Sequence, residues 1–275
     1  MTQGNEEWLP EERRQIERLL AGRSRESLTV QDMWALMDGA WAECGCDDRT
    51  PDEASLLRFY AHPVWTLNGL FIEGHAQSME HRRKIADWIR AHVGQGGGVL
   101  DYGGGFGTLA RMVAQASPGI RVDILEPSPA RLGVERLRPF PNVRIVSSAK
   151  GPYDAVVCLD VLEHVGDPLG ETDRLLRVLK DEGSLVMGNA FLPMTKCHLP
   201  ANLHFLYTFG WFMARLGLRR TDRLEGTHIV VYRIARRTAP DWARLRRWEQ
   251  WSRRAFPLIG MLRRALKPWG LNYDR

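Results

Sequence analysis

The stretch Val99-Leu100-Asp101-Tyr102-Gly103-Gly104-Gly105-Phe106-Gly107-Thr108-Leu109 reads as a short apolar strand, an acidic residue near its end, a crowd of glycines and the start of a helix. Backbone can turn this sharply only where side chains are missing. Gly103, Gly105 and Gly107 therefore let the chain pass close beneath a ligand, and the helix that follows offers free amides at its N-terminus. The order suits a nucleoside ligand. A dinucleotide fingerprint, G-x-G-x-x-G, would need glycine where Thr108 stands. The pattern present is D-x-G-x-G-x-G.

Three further segments follow in order. Arg121-Val122-Asp123-Ile124-Leu125-Glu126 is a strand ending in a carboxylate, which at that tip can accept hydrogen bonds from both hydroxyls of a ribose. Tyr153 to Val165 is an apolar strand running into Asp160-Val161-Leu162-Glu163-His164, and Arg174 to Met187 reads as helix, turn and strand. Strands are expected near 98–101, 121–126, 143–146, 153–159, 183–189, 220–224 and 228–236. Alternation of this kind calls for a mostly parallel sheet covered on both faces, an α/β doubly wound architecture of seven strands. The last two strands are parted by Glu225-Gly226-Thr227 and form a terminal antiparallel hairpin.

This set of motifs resembles the class I S-adenosylmethionine-dependent methyltransferases of the small-molecule type, which add such a hairpin to the doubly wound sheet. The resemblance implies S-adenosylmethionine as cofactor. It implies that Asp101 holds the methionine end, that Gly103, Gly105 and Gly107 pass beneath methionine and ribose, and that Glu126 takes the ribose hydroxyls. Leu159 and Asp160 would lie near the sulfonium. Relatives often carry an aspartate after the third strand for adenine, but here Val146-Ser147-Ser148-Ala149-Lys150-Gly151 has none, leaving Ser148 or a backbone carbonyl. Asp160, Glu163 and His164 make a D-x-x-E-H cluster. A similar E-x-x-E-H arrangement in ubiquinone-pathway O-methyltransferases can hold a divalent cation, whereas metal-free relatives use the same string to cap and pack the next helix; no metal is expected here. His204 and His164 are the candidate catalytic side chains, since neutral imidazole accepts a proton from a hydroxyl near pH 7. Asn189 and His198 lie in the same region as His204, and Tyr60, His62, Trp65 and His75 could reach the pocket from the N-terminal side.

The chain divides into a helical lid (1–93), the cofactor-binding domain (94–237) and a basic amphipathic tail (238–275). Thr29 with Asp32, Thr50-Pro51 and Ser78 are expected to open helices in the lid. The acidic start, Met1 to Glu17, does not read as a signal peptide and no stretch has the length of a membrane span, so a cytoplasmic setting is expected. Cys44, Cys46, Cys158 and Cys197 fit ordinary thiols in a reduced compartment. From Arg215 onward sixteen Lys or Arg stand against five Asp or Glu, a balance of +11, while the remainder is −6. The tail's stripe (Trp242, Leu245, Trp248, Trp251, Phe256), with Leu258 to Leu266 as a second piece, could dock on the protein, lie on an anionic membrane surface or, least suitably, bind nucleic acid.

These features point to methyl transfer onto O, N or C of a small molecule, with lipid-linked and saccharide intermediates among the acceptors a basic tail would suit. An inert S-adenosylmethionine-binding partner module is the alternative. A nicotinamide dehydrogenase is disfavoured by Thr108.

Overall fold

The computed structural model describes residues 9–266, with side chains through Met261. Residues 1–8 and 267–275, which include the start of the acidic segment and the end of the basic tail, lie outside the described residues. Five helices come first: α1 (Pro10–Leu20), α2 (Val30–Glu43), α3 (Glu53–Tyr60), α4 (Val64–Gly74) and α5 (Ala76–His92). α2 opens at the expected cap, where the Asp32 amide donates to Thr29 Oγ1 (3.1 Å) and the Thr29 amide to Asp32 Oδ2 (2.9 Å). α3 starts two residues after Pro51: Asp52 rather than Thr50 caps it, accepting from the Ser55 amide at 2.9 Å. That phase buries Phe59 and turns Leu57 outward. α5 is likewise capped by His75, not Ser78.

The remaining elements are β1 (Gly98–Tyr102), α6 (Thr108–Ala116), β2 (Arg121–Leu125), α7 (Arg131–Leu137), β3 (Val143–Ile145), β4 (Tyr153–Leu159), α8 (Pro168–Val178), β5 (Leu179–Gly188), α9 (Phe205–Arg215), β6 (Leu218–Arg223), β7 (Val230–Ile234) and α10 (Trp242–Leu266). The sheet has the order β3-β2-β1-β4-β5-β7-β6; β1 to β5 pair in parallel, and β7 runs antiparallel to both its neighbours. The expected seven strands are present. β5 starts earlier than its composition suggests, because Leu179 already pairs with Tyr153 before the register shifts and resumes at Ala155 with Ser184.

Successive residues of β1 face opposite layers. Val99 joins Ile85, Ile89 and Val113 of α5 and α6 on one side, while Leu100 joins Leu175, Phe205 and Phe212 on the other. α1 to α4 build a separate core around Trp41, Phe59 and Leu67, into which Cys197 and Leu199 of the β5–α9 connection insert. A charged joint binds this core to the sheet. Glu73 of α4 accepts from Thr108 Oγ1 at 2.9 Å and pairs with Arg111 of α6 and Arg136 of α7.

The sequence pattern allows one basic amphipathic helix or two, and α10 runs unbroken with Pro257 inside it. Packing offsets the lost amide bond: Leu245 is buried, Trp248 meets Trp211 edge-on at 4.8 Å and Phe256 lies 5.8 Å from Tyr207, all against α9. Among the described residues no helix is long and apolar enough to cross a membrane.

Candidate active site

A cavity of about 2300 Å³ opens along the carboxyl edge of the sheet, well beyond the roughly 300–1,000 Å³ of an ordinary ligand pocket. Its floor comes from Gly103, Gly104, Gly105, Glu126, Leu159 and Asp160. Its far wall is apolar, from α2, α3, α4 and the β5–α9 connection, with Met33, Met37, Trp65 and Phe191 among the lining residues.

The glycine loop is built for close approach. Gly103 has φ +68°, and a Cβ there would stand 2.5 Å from Val161 Cγ2; a Cβ on Gly104 would stand 2.7 Å from Asp101 Oδ2. Asp101, 3% exposed, lies beneath this loop, and its Oδ2 has no hydrogen-bond partner among the described residues. Burial pushes its carboxyl up to about 7 although Arg82 pulls the other way. Arg82, a cavity-lining cation on α5, was not singled out by motif; it follows the same helical face as Ile85, Ala86 and Ile89, and a charge on an apolar face was the signal available. Glu126 is fixed by the amides of Gly105 and Ser128, both at 3.0 Å. Its second lone pairs remain open to the cavity it lines.

Asp160 sits at φ +54°, where a non-glycine residue is strained. Its side chain is 46% exposed and opens to the cavity; partial desolvation works to raise its pKa, but the His228 ring at 3.3 Å and Arg82 bring it below the ordinary range.

Behind it lies a second cluster. Glu163, 1% exposed, accepts from the Ala190 amide at 2.8 Å, while its other oxygen is unpartnered among the described residues. Burial and then Asp160 push its carboxyl up to about 8. His164 Nδ1 meets the Cys197 carbonyl at 3.1 Å and His198 Nδ1 the Leu192 carbonyl at 2.7 Å. A carbonyl only accepts, so both rings carry the proton on Nδ1 and keep a lone pair on Nε2. Burial brings His164 down to about 3, with His198 adding to it, and lowers His198 as well. One donor atom each from Glu163, His164 and His198 falls within 4.8 Å of the others, a set that could ligate a divalent cation. The D-x-x-E-H reading is thus altered, with His198 taking the place of Asp160.

A family model described as a methyltransferase domain matches residues 77–254, more than half the chain. The chain belongs to the class I S-adenosylmethionine-dependent methyltransferase family. Among curated relatives, ubiquinone biosynthesis O-methyltransferases of Aromatoleum aromaticum and Bordetella avium are 32% identical over 148 residues (49% of this chain, 61% of the relative) and 39% identical over 93 residues (30% and 39%). The chain therefore spans less than two thirds of their length. An O-methyltransferase family protein of Burkholderia thailandensis shares the fold, with a TM-score of 0.53 at 14% identity over 73% of this chain and 69% of that one.

Within this methyltransferase framework the expected site residues separate. Gly103, Gly105, Glu126, Leu159, Asp160 and His164 line the cavity; Asp101 and Gly107 lie under or beside the loop, Gly107 capping α6 at φ +74°. Ser148 is exposed and does not line the cavity, since the chain bends away after β3. His204 does not line it either. Arg253 Nε donates to its Nε2 at 3.4 Å, so Nδ1 donates to Ser252 Oγ at 2.8 Å; Ser252 passes the chain to Thr208 Oγ1 at 3.0 Å, which returns to the His204 carbonyl at 2.9 Å. Both ring nitrogens are spent joining α9 to α10, and burial together with Arg253 holds the ring down to about 4. His204→Phe is expected to lower unfolding free energy by about 1–3 kcal/mol while leaving turnover near that of the parent. Denaturant unfolding and a turnover assay on one preparation check this, and collapse of turnover in a folded variant would return His204 to the site.

Proposed function

We propose that this chain methylates a hydroxyl of an apolar small molecule, and that the two-sided cavity carries the reading: glycine loop and carboxylates on the sheet side, an apolar chamber under the N-terminal helices on the other. The cofactor suits the first side by charge. The unpartnered Asp101 Oδ2 suits its ammonium, Arg82 its carboxylate, and the fixed Glu126 its ribose hydroxyls. Leu159 and Asp160 border the passage between the two sides. Bound there, S-adenosylmethionine supplies a methyl group on a sulfonium.

The chain's own part is positioning, exclusion of water and removal of one proton. His198, whose ring lines the cavity and keeps Nε2 unprotonated at neutral pH, is the side chain we assign to accept the acceptor's hydroxyl proton. Protonated Glu163 keeps a second negative charge from that corner. We read α1 to α4 as the lid over the chamber and α10, docked on α9, as an extension of the cofactor-binding domain rather than a separate tail. The apolar wall favours a lipid-linked acceptor over a saccharide, whose hydroxyls would be buried without partners. An inert cofactor-binding module has no use for such a chamber.

One titration tests the cofactor arrangement. Asp101 is largely protonated below about pH 7 in the free protein, and an incoming ammonium favours its charged form, so binding releases a proton. Affinity for S-adenosylmethionine should rise with pH up to about 7 and level off above it, and the calorimetric enthalpy should depend on the buffer's own ionisation. A buffer-independent enthalpy would remove Asp101 from the ammonium. Transfer of labelled methyl to lipophilic phenols, absent with hydrophilic sugars, tests the acceptor class.

A further inference from the structure

α10 has two faces. The inner one, through Leu245, Trp248, Ser252 and Phe256, is docked on α9. At 100° per residue, Arg244, Arg247, Trp251, Arg254, Leu258 and Met261 fall on an outward stripe about 100° wide. Trp251, Leu258 and Met261 are 67%, 59% and 55% exposed there. No acid interrupts the stripe: Glu249 lies buried on the inner side, between Arg246 (2.8 Å) and Arg253 (2.7 Å). The same turn that exposes Leu258 and Met261 presents Gly260 to the cavity, beside Leu206 and Tyr207 of α9, and Leu206 is itself exposed. On the same wheel Gly260 falls about 180° from Trp251, so the apolar, cation-flanked stripe lies on the side of α10 away from the chamber.

We propose that α10 is an interfacial helix whose outward stripe seats the protein on an anionic lipid surface, where an acceptor dissolved in the lipid is concentrated. Charge selects the occupant. Three arginines and a tryptophan interleaved with single apolar residues, on a helix whose sequence holds seven arginines and one glutamate, match phospholipid headgroups over an acyl layer, whereas a protein-binding helix would carry a continuous apolar seam. The use made of that surface rests on the apolar-acceptor reading above; the lipid contact itself does not.

The test uses the full chain and vesicles of phosphatidylcholine alone or mixed with phosphatidylglycerol. The parent should co-sediment with the mixed vesicles, weakly with the neutral ones, and less as salt is raised. The triple variant Trp251→Glu, Leu258→Glu, Met261→Glu touches neither the inner face nor the cavity, and should lose binding by about tenfold or more with unchanged thermal unfolding and cofactor affinity. A parent that ignores anionic vesicles, or a folded variant that binds as well as the parent, overturns the proposal. So does a parent that is a dimer in solution and becomes monomeric in the variant, because the stripe would then be a protein interface. Turnover on a short water-soluble phenol and on a long-chain one embedded in the vesicles separates the two readings. Vesicle binding with no methyl transfer to either leaves the lipid contact standing and removes the acceptor reading.

Discussion

Replacing His198 by asparagine is expected to lower kcat by about 10²–10⁴-fold, the usual contribution of a positioned base, while cofactor affinity stays at the parental value. Asparagine Nδ2 stands where the ring's Nδ1 does and keeps a donor for the Leu192 carbonyl but has no basic nitrogen, so orientation survives and proton acceptance does not. The pH profile separates base from scaffold. Burial lowers the His198 pKa below that of free imidazole, so the ring is neutral through the physiological range. Parental kcat should fall as pH drops through that lowered value, and the variant should have no such limb. Exhaustive chelation is the companion measurement. Turnover that survives it leaves His198 as a proton acceptor; turnover lost and restored by a divalent cation would make Glu163, His164 and His198 a metal site instead.

Glu126→Ala should weaken S-adenosylmethionine and S-adenosylhomocysteine alike by about 10²–10⁴-fold, since hydrogen bonds to a charged group contribute about 1.5–3 kcal/mol each and two ribose hydroxyls lose their acceptor. The Gly105 and Ser128 amides lose theirs too, so part of the cost is loop order. Because the ribose does not react, kcat at saturating cofactor should stay close to the parent's. Ser148→Ala serves as contrast: an exposed side chain away from the cavity should leave affinity unchanged. Calorimetric titration of the two variants decides the matter, and equal weakening by both would place adenine against β3.

What the sequence reveals here is whatever follows a local period or a backbone necessity. Seven strands alternate with helices because each apolar run is short and ends in glycine, acid or turn residues, and the loop at Gly103 to Gly107 can only be a close approach. Histidine roles are not local. His198 and His204 stand six positions apart in one connection, and only the entry into α9 decides that one ring faces the cavity and the other is consumed by Ser252 and Arg253. Ser148 lies outside the cavity lining for a similar reason: the bend after β3 is tertiary. Cap positions slip by one turn or less, since Thr50 and Asp52 are both competent and the burial of Phe59 chooses between them. Arg82 was open to discovery, as a cation out of place on an apolar stripe.

The wall of the chamber draws on residues from Val30 to Gly260, so it is complete only when segments far apart in the chain have met. Such a hollow depends on contacts between distant parts of the chain and takes shape only after slow, non-local closure. Any molecule that occupies it recognises the finished protein and none of its precursors. Occupancy should therefore protect the chain from unfolding in proportion to the logarithm of ligand concentration, making the metabolite supply a determinant of how long the protein persists.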